Sequence, residues 1–268
     1  MQIEAVEDLS APDLAPFLTL RQAQIPFQQG YFVAEGRLVV ERALQAPYKL
    51  RSILATPKRA EELRAQIEAR PEILRVYVAP RERLEEVLGV NYHHGIMALG
   101  EIPKDPPLAE VLAGPAPQTL VALDGLTQAE NVGVIVRSAA ALGATGVLAG
   151  ETSSSPWLRR AVRNSMGGVF VLPSIHLKSL AAELRRLKAE FGLRIIAADP
   201  VGAVPLEEYR FPPKCCLVMG SEFDGISAAV RAECQDFVAI PLGRGIDSLN
   251  VGAAATVFLH GAKHGRQG

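Results

Sequence analysis

No stretch of the 268-residue sequence approaches the roughly 18 uninterrupted apolar residues that a bilayer-spanning helix needs, so no membrane partner is expected. Cysteine is scarce: Cys215, Cys216 and Cys234 offer neither a disulfide framework nor a CxxC metal spacing. The five histidines (His93, His94, His176, His260 and His264) are scattered or lie near the end of the sequence, and no metal site is expected. Also missing are an HExxH helix, a GxSxG elbow, a GxGxxG turn after an opening strand and a Walker loop. Those absences argue against zinc proteolysis, the serine hydrolases of that elbow and the common nucleotide folds. The stretch MQIEAVEDLSAPDLAPF is acidic and lacks the charged-then-apolar order of a secretion signal, so the expected address is the cytoplasm.

What remains is the profile of a soluble globular protein, with 49% hydrophobic and 21% charged residues. Its length suits one large domain or two ordinary ones. The formal net charge of −1 hides an uneven distribution. Between Arg21 and Arg59 seven basic residues (Arg21, Arg37, Arg42, Lys49, Arg51, Lys58, Arg59) face two acidic ones, Glu35 and Glu41. Between Arg159 and Lys188 seven (Arg159, Arg160, Arg163, Lys178, Arg185, Arg186, Lys188) face Glu183 alone. Two such patches suit contact with a polyanion, and they equally suit ordinary solvated helix faces.

The segment EIPKDPPLAEVLAGPAPQ holds five prolines and no sustained periodicity, the signature of a linker. Before it, short strands (KLRSILAT, ILRVYVA, HGIMALGEI) alternate with helices (after Gly36, EELRAQIEAR, RERLEEVLG), which predicts a small α/β domain. After it the alternation is cleaner. TLVALD, GVLAG, VFVLP, RIIAAD, CCLVMG and FVAIP read as strands. Helices are expected over 131–143, across Pro156 to Met166, over SLAAELRRLKAEFG and from about Leu249. Continuous apolar strands predict a parallel sheet buried on both faces.

Ligands of open α/β sheets bind at the carboxyl ends of strands. Three such ends carry unusual chain: DGLTQAENVGVIVR after Asp124, GSEFDGIS after Met219 and LGRGIDSLN after Pro241. Singly, Asn131 and Ser248 read as helix caps, Gly220 and Gly225 as turn residues and Arg137 as a surface cation. Together the loops predict a pocket whose ligand the residues do not name.

At these positions the chain resembles a known family. Asn131-Val-Gly-x-Ile-x-Arg137, Gly220-Ser-Glu-x-x-Gly225 and Ile240-Pro-x-Gly…Ser248-Leu-Asn-Val are similar to the three motifs of SpoU-type SPOUT RNA methyltransferases, in order and in spacing. The likeness covers about 119–263. The block before it, with FVAEGRLVVERAL and HGIMAL, resembles the substrate domain that many members carry. The resemblance implies an α/β fold in which residues 1–106 form an RNA-binding domain related to a ribosomal protein. Residues 107–117 form a linker, and 118–268 a parallel-sheet methyltransferase domain with a deep trefoil knot. It implies S-adenosylmethionine as donor, a ribose 2′-hydroxyl in RNA (ribosomal RNA by preference) as acceptor, and a homodimer.

By the same resemblance, Gly220, Ser221, Ile240, Leu242, Leu249 and Ala198 hold the cofactor. Arg137, Asn131, Glu222, Ser248 and Asn250 are the polar motif residues around the reacting groups. RNA contacts are expected from Arg37, Arg42, Lys49, Arg51, Arg159, Arg160 and Arg163. An arginine is almost never deprotonated, so Arg137 suits stabilisation of a developing alkoxide or a grip on the adjacent phosphate. The chain departs from the family at Gln128-Ala129-Glu130, where Asp-Pro is frequent before the asparagine, and at Gly252, where serine is frequent. The competing expectations are a transfer-RNA ribose methyltransferase, a non-catalytic RNA-binding or ribosome-assembly factor, and a nicotinamide-dependent α/β enzyme.

Overall fold

The computed structural model describes residues 2–5, 14–19, 24–88, 94–199 and 204–265, the side chains of 2–5 and 86–88 excepted. Arg21 and His93 lie outside these. The chain forms two compact units, one of Met1–Lys104 with Trp157–Phe170, the other of Asp105–Pro156 with Val171–Gly268.

The first unit is built on a mixed sheet of β1 (Gln2–Ala5), β2 (Tyr31–Glu35), β3 (Leu50–Ala55), β4 (Arg75–Val78) and β5 (Ile96–Glu101), in the order β1-β4-β3-β5-β2. The β5 pairings with β3 and β2 are antiparallel. The helix Arg37–Gln45 buries Val39, Val40, Ala43 and Leu44, one apolar stripe at helical spacing. The polar helix expected over EELRAQIEAR is two short helices, Pro57–Glu62 and Arg64–Glu68, parted at the buried Leu63.

Trp157–Phe170 belongs to this unit because its aromatic ends are buried there. Phe32 stands 5.4 Å from Trp157 and 5.3 Å from Phe170, and Tyr48 meets Trp157 edge-on at 5.5 Å. This packing overrides the expected strand VFVLP: Gly168–Phe170 is a 3₁₀ turn, and the strand starts at Ser174. Within the preceding segment the helix is confined to Arg159–Asn164.

Among the described residues the second unit holds seven strands, all parallel: β6 (Gln118–Asp124), β7 (Gly146–Ala149), β8 (Ser174–His176), β9 (Arg194–Ala198), β10 (Val204–Pro205), β11 (Lys214–Gly220) and β12 (Asp236–Ala239). Their order is β10-β12-β9-β11-β6-β7-β8. Every residue of β6 is buried, as its apolar run predicts for a sheet covered on both faces. Leu180, Leu184 and Leu187 of the helix Leu180–Phe191 pack onto Leu148, Ile195 and Val218 in one core. That helix runs from a Ser179 cap to Gly192 at φ +66, and the helix Ala129–Leu142 ends, as expected, at Gly143 with φ +80.

Candidate active site

The central strands β9, β11 and β6 end side by side: Met219 pairs with Ala198 and Gly220 with Asp124. The chain leaving β11 folds back at once. Ser221 and Gly225 bond each other's backbone at 2.9 and 3.2 Å, and the Asp224 N–H donates to Ser221 Oγ at 2.9 Å. A Cβ on Gly220 would stand 2.4 Å from the Gly225 carbonyl carbon, and Gly225 itself has φ +67. Only glycine permits this closed turn at both places. The buried Asp124 at the end of β6 anchors the far side, accepting from the Ser227 N–H at 2.7 Å.

One residue from each of the three sequence motifs meets at this edge. Asn131 Nδ2 and Asn250 Nδ2 both donate to Glu222 Oε1 at 3.0 Å, and Asn250 Nδ2 also reaches Asn131 Oδ1 at 3.0 Å. Asn131 is not the helix cap that its position suggested. It lies inside the helix Ala129–Leu142, and its buried side chain is spent on Glu222. Ser248 is not a cap either. Asn250 caps the helix Val251–His264, its Oδ1 accepting from the Gly252 and Ala253 N–H groups at 3.0 and 3.3 Å. The Asn250 side chain therefore fixes a helix start and a carboxylate at once.

Beside the network lies a cavity of about 310 Å³, within the range of small-ligand sites. All six residues predicted to hold a cofactor line it: Ala198, Gly220, Ser221, Ile240, Leu242 and Leu249. Glu222 and Ser248 line it as well. Val238, Val251 and Phe258 supply apolar wall, enough for a flat heteroaromatic ring. The charged lining among the described residues is Asp199, Glu222 and Asp247, without a lysine or arginine, although Asp199 is paired with Arg231. Such a wall favours a ligand carrying positive charge and disfavours a pyrophosphate, which needs helix N-termini or cations. The cavity fits a sulfonium nucleoside and not a nicotinamide dinucleotide.

Arg137 is exposed and does not line this cavity. It is six helical positions beyond Asn131, which puts it about 9 Å further along the axis and roughly 120° around it. Thiol chemistry has no support: burial pushes the Cys216 thiol well up and the Cys234 thiol up to about 11. No group of three or more potential metal ligands occurs among the described residues.

Most of the cations read as RNA contacts have internal partners within the first unit. Arg37 pairs with Glu41 at 2.9 Å, while Lys49 and Arg51 reach Glu101 at 3.2 and 2.6 Å. Arg42 donates to the Met166 carbonyl. Arg159 and Arg163 flank the buried Glu35 at 3.2 and 3.5 Å. The Arg159 side chain is only 16% exposed, and burial pulls its pKa down, so it is part of the interior. Arg160 is exposed.

Among the lining residues that the sequence did not single out are Asp199 and Phe223. Asp199 directly follows β9, and a carboxylate after an apolar strand was a signal available to be read. Phe223 sits at a free position of the second motif, where no periodicity marks it.

Known proteins share both the pattern and the fold. Mb0905 of Mycobacterium bovis, described as an uncharacterized tRNA/rRNA methyltransferase, is 32% identical over 268 residues, covering 97% of this chain and 91% of that protein. The 23S rRNA (guanosine-2'-O-)-methyltransferase RlmB of Neisseria meningitidis is 32% identical over 190 residues, 70% of this chain and 76% of its own. An rRNA methyltransferase from Sinorhizobium meliloti superposes with a TM-score of 0.82 at 25% identity, over 98% of both chains. Residues 118–260 match the family described as SpoU rRNA Methylase, more than half of the sequence. With all three motifs in place, the chain belongs to that family, the SpoU-type RNA methyltransferases.

Proposed function

We propose that this protein transfers a methyl group to a ribose 2′-hydroxyl of ribosomal RNA, with 23S RNA the first candidate. The observation that carries the reading is the acidic, cation-free cavity sharing Glu222 with the Asn131–Asn250 network. S-adenosylmethionine is the cofactor, and when bound it supplies an electrophilic methyl group. Gly220, Ile240, Leu242 and Leu249 present backbone and apolar surface to it. Glu222 and Asp247 offset its positive charge, while Asp199 is already paired with Arg231. Asn131 and Asn250 hold Glu222 in one position, so the carboxylate does not reorganise as the acceptor oxygen approaches. Arg137, exposed and outside this cavity, is assigned the grip on a phosphate beside the target nucleotide.

The same reading takes residues 118–268 as the knotted catalytic domain and 1–106 as the domain that binds RNA. It takes a homodimer as the working form and the cytoplasm as the location. Of the candidate RNA contacts, the solvent-facing Arg37, Lys49, Arg51, Arg160 and Arg163 remain the ones to test.

The experiment is transfer of labelled methyl groups from S-adenosylmethionine to unmodified ribosomal RNA transcripts, with transfer RNA in parallel. Methylation of the 2′-oxygen blocks alkaline cleavage at that linkage, so label is expected in alkali-resistant dinucleotides. Label in alkali-labile mononucleotides would mean base methylation and end the ribose reading. Label in transfer RNA alone would end the ribosomal one.

A further inference from the structure

Of the nine phenylalanines, eight are buried or half-buried, and Phe223 is 91% exposed. Its place in the chain is fixed. It forms the apex of the closed Ser221–Gly225 turn, whose backbone is bonded across its own base and cannot accommodate a side chain at Gly220. Its neighbour Glu222 is pinned by two amides. An aromatic ring on so constrained a turn is presented to solvent by the backbone itself, not by local slackness.

Phe223 also lies between two spaces. It lines the cofactor cavity, and it lines a second, smaller cavity of about 110 Å³ together with Thr127, Gln128, Asn131 and Asp224. The two cavities have Ser221, Glu222, Phe223 and Val251 in common. The larger has apolar walls and acidic charge. The smaller is lined with hydroxyl, amide and carboxylate groups that suit a sugar. A methyl group passing from donor to ribose would cross this shared wall, beside Glu222 and Phe223.

Resting on the proposed ribose methylation, we propose that Phe223 is the stacking platform for the base of the target nucleotide, and that the smaller cavity receives its ribose. Unstacked RNA bases are commonly held on aromatic side chains, because every base offers a π-face. The free ring face supplies that surface, and the neighbouring Thr127 hydroxyl and Gln128 amide supply hydrogen bonds to the sugar. Phe223 is then a positioning residue that sets how far the 2′-oxygen extends toward the donor.

The test compares Phe223→Ala, Phe223→Leu and Phe223→Trp with the wild-type full chain. The readouts are KM and kcat on an unmodified 23S ribosomal RNA transcript, S-adenosylmethionine affinity by calorimetry, and sedimentation. Losing one stacked base corresponds to about 5- to 150-fold in affinity. The alanine and leucine variants should raise KM by that factor, the tryptophan variant should stay near wild type, and cofactor affinity and sedimentation should not move. The Phe223→Trp protein also gives a readout independent of turnover: the transcript should quench its indole fluorescence beyond any change in the buried Trp157 of the wild type. Leucine performing as well as tryptophan would refute stacking. A weakened cofactor affinity in the alanine variant would instead make Phe223 a lid on the donor, and a changed sedimentation coefficient would make it a subunit contact; either overturns the proposal. Wild-type protein that transfers no label, with RNA still quenching the Phe223→Trp variant, would sink ribose methylation and leave the platform standing.

Discussion

Replacing Asn250 separates the two jobs of its side chain. Alanine removes the cap on the helix Val251–His264, about 1 kcal/mol, together with the two donations from Nδ2. A hydrogen bond to a charged acceptor is worth roughly 1.5–3 kcal/mol. Glu222 and Asn250 are both solvent-facing, so water recovers a good part of that, and the total should be about 2–3 kcal/mol. For a domain of this size that corresponds to a fall in thermal midpoint of about 4–12 °C. Aspartate is the discriminating variant. It caps a helix as well as asparagine does, but it sets a second carboxylate against Glu222 in place of an amide donor. Asn250→Asp should keep the cap and still lose S-adenosylmethionine affinity and methyl transfer, by at least as much as Asn250→Ala. Calorimetric titration and differential scanning measure both effects. An Asn250→Asp protein with wild-type midpoint, affinity and turnover would refute the idea that the amides are there to position Glu222.

Gly220→Ala should cost about 1–3 kcal/mol of overpacking, because its Cβ would enter the Gly225 backbone, and should weaken S-adenosylmethionine binding by about 5- to 150-fold in a titration. Glu35→Ala leaves the mostly buried Arg159 guanidinium without its partner and should destabilise the first unit by about 3–5 kcal/mol in urea unfolding, whereas an Arg37→Ala change at an exposed pair should cost less than about 1 kcal/mol. The Asp236 carboxyl is held below its ordinary range by hydrogen bonds from the Arg194 guanidinium and the Tyr209 hydroxyl. A carboxyl lowered on folding adds stability above its unfolded value, near about pH 4, and loses it as pH falls through the folded value. The stability–pH curve of Asp236→Asn should therefore be flatter than wild type below about pH 4, and parallel curves would refute that linkage.

The second unit was legible from the sequence because its signals are local. The apolar runs of β6, β9 and β11 and the glycines at 143 and 192 each fix one element without reference to distant residues. What escaped depends on partners far away along the chain. VFVLP has the composition of a strand, but Phe170 is claimed by Phe32 and Tyr48, from a distant part of the sequence, and the backbone turns at Gly168. The basic runs had the same defect. Composition counted Arg159 as a surface cation, whereas the carboxylate that binds it, Glu35, lies in another part of the sequence. Asn131 and Ser248 stand where caps often stand, and nothing local revealed that Asn250 takes the cap while Asn131 turns to Glu222.

The candidate site shows why residues that the family resemblance pointed to line one cavity. In a parallel sheet the carboxyl ends of neighbouring strands come level, so residues just after Asp124, Met219 and Ala198 share one edge whatever lies between them in the chain. Position relative to a strand end is therefore nearly position in space, which is why Ala198, Gly220 and Ser221, carried over from the family resemblance, line one cavity. Arg137 breaks that rule because it is more than two helical turns beyond its strand end, where helix geometry and not the sheet decides its direction. Charge then distinguishes this edge from those that bind nucleotide phosphates. A glycine-rich turn can serve either ligand, but Glu222 and Asp247, in a described lining that holds no lysine or arginine, suit a sulfonium and repel a pyrophosphate, while Asp199 is paired with Arg231. The glycines give access, and the acidic lining selects what enters.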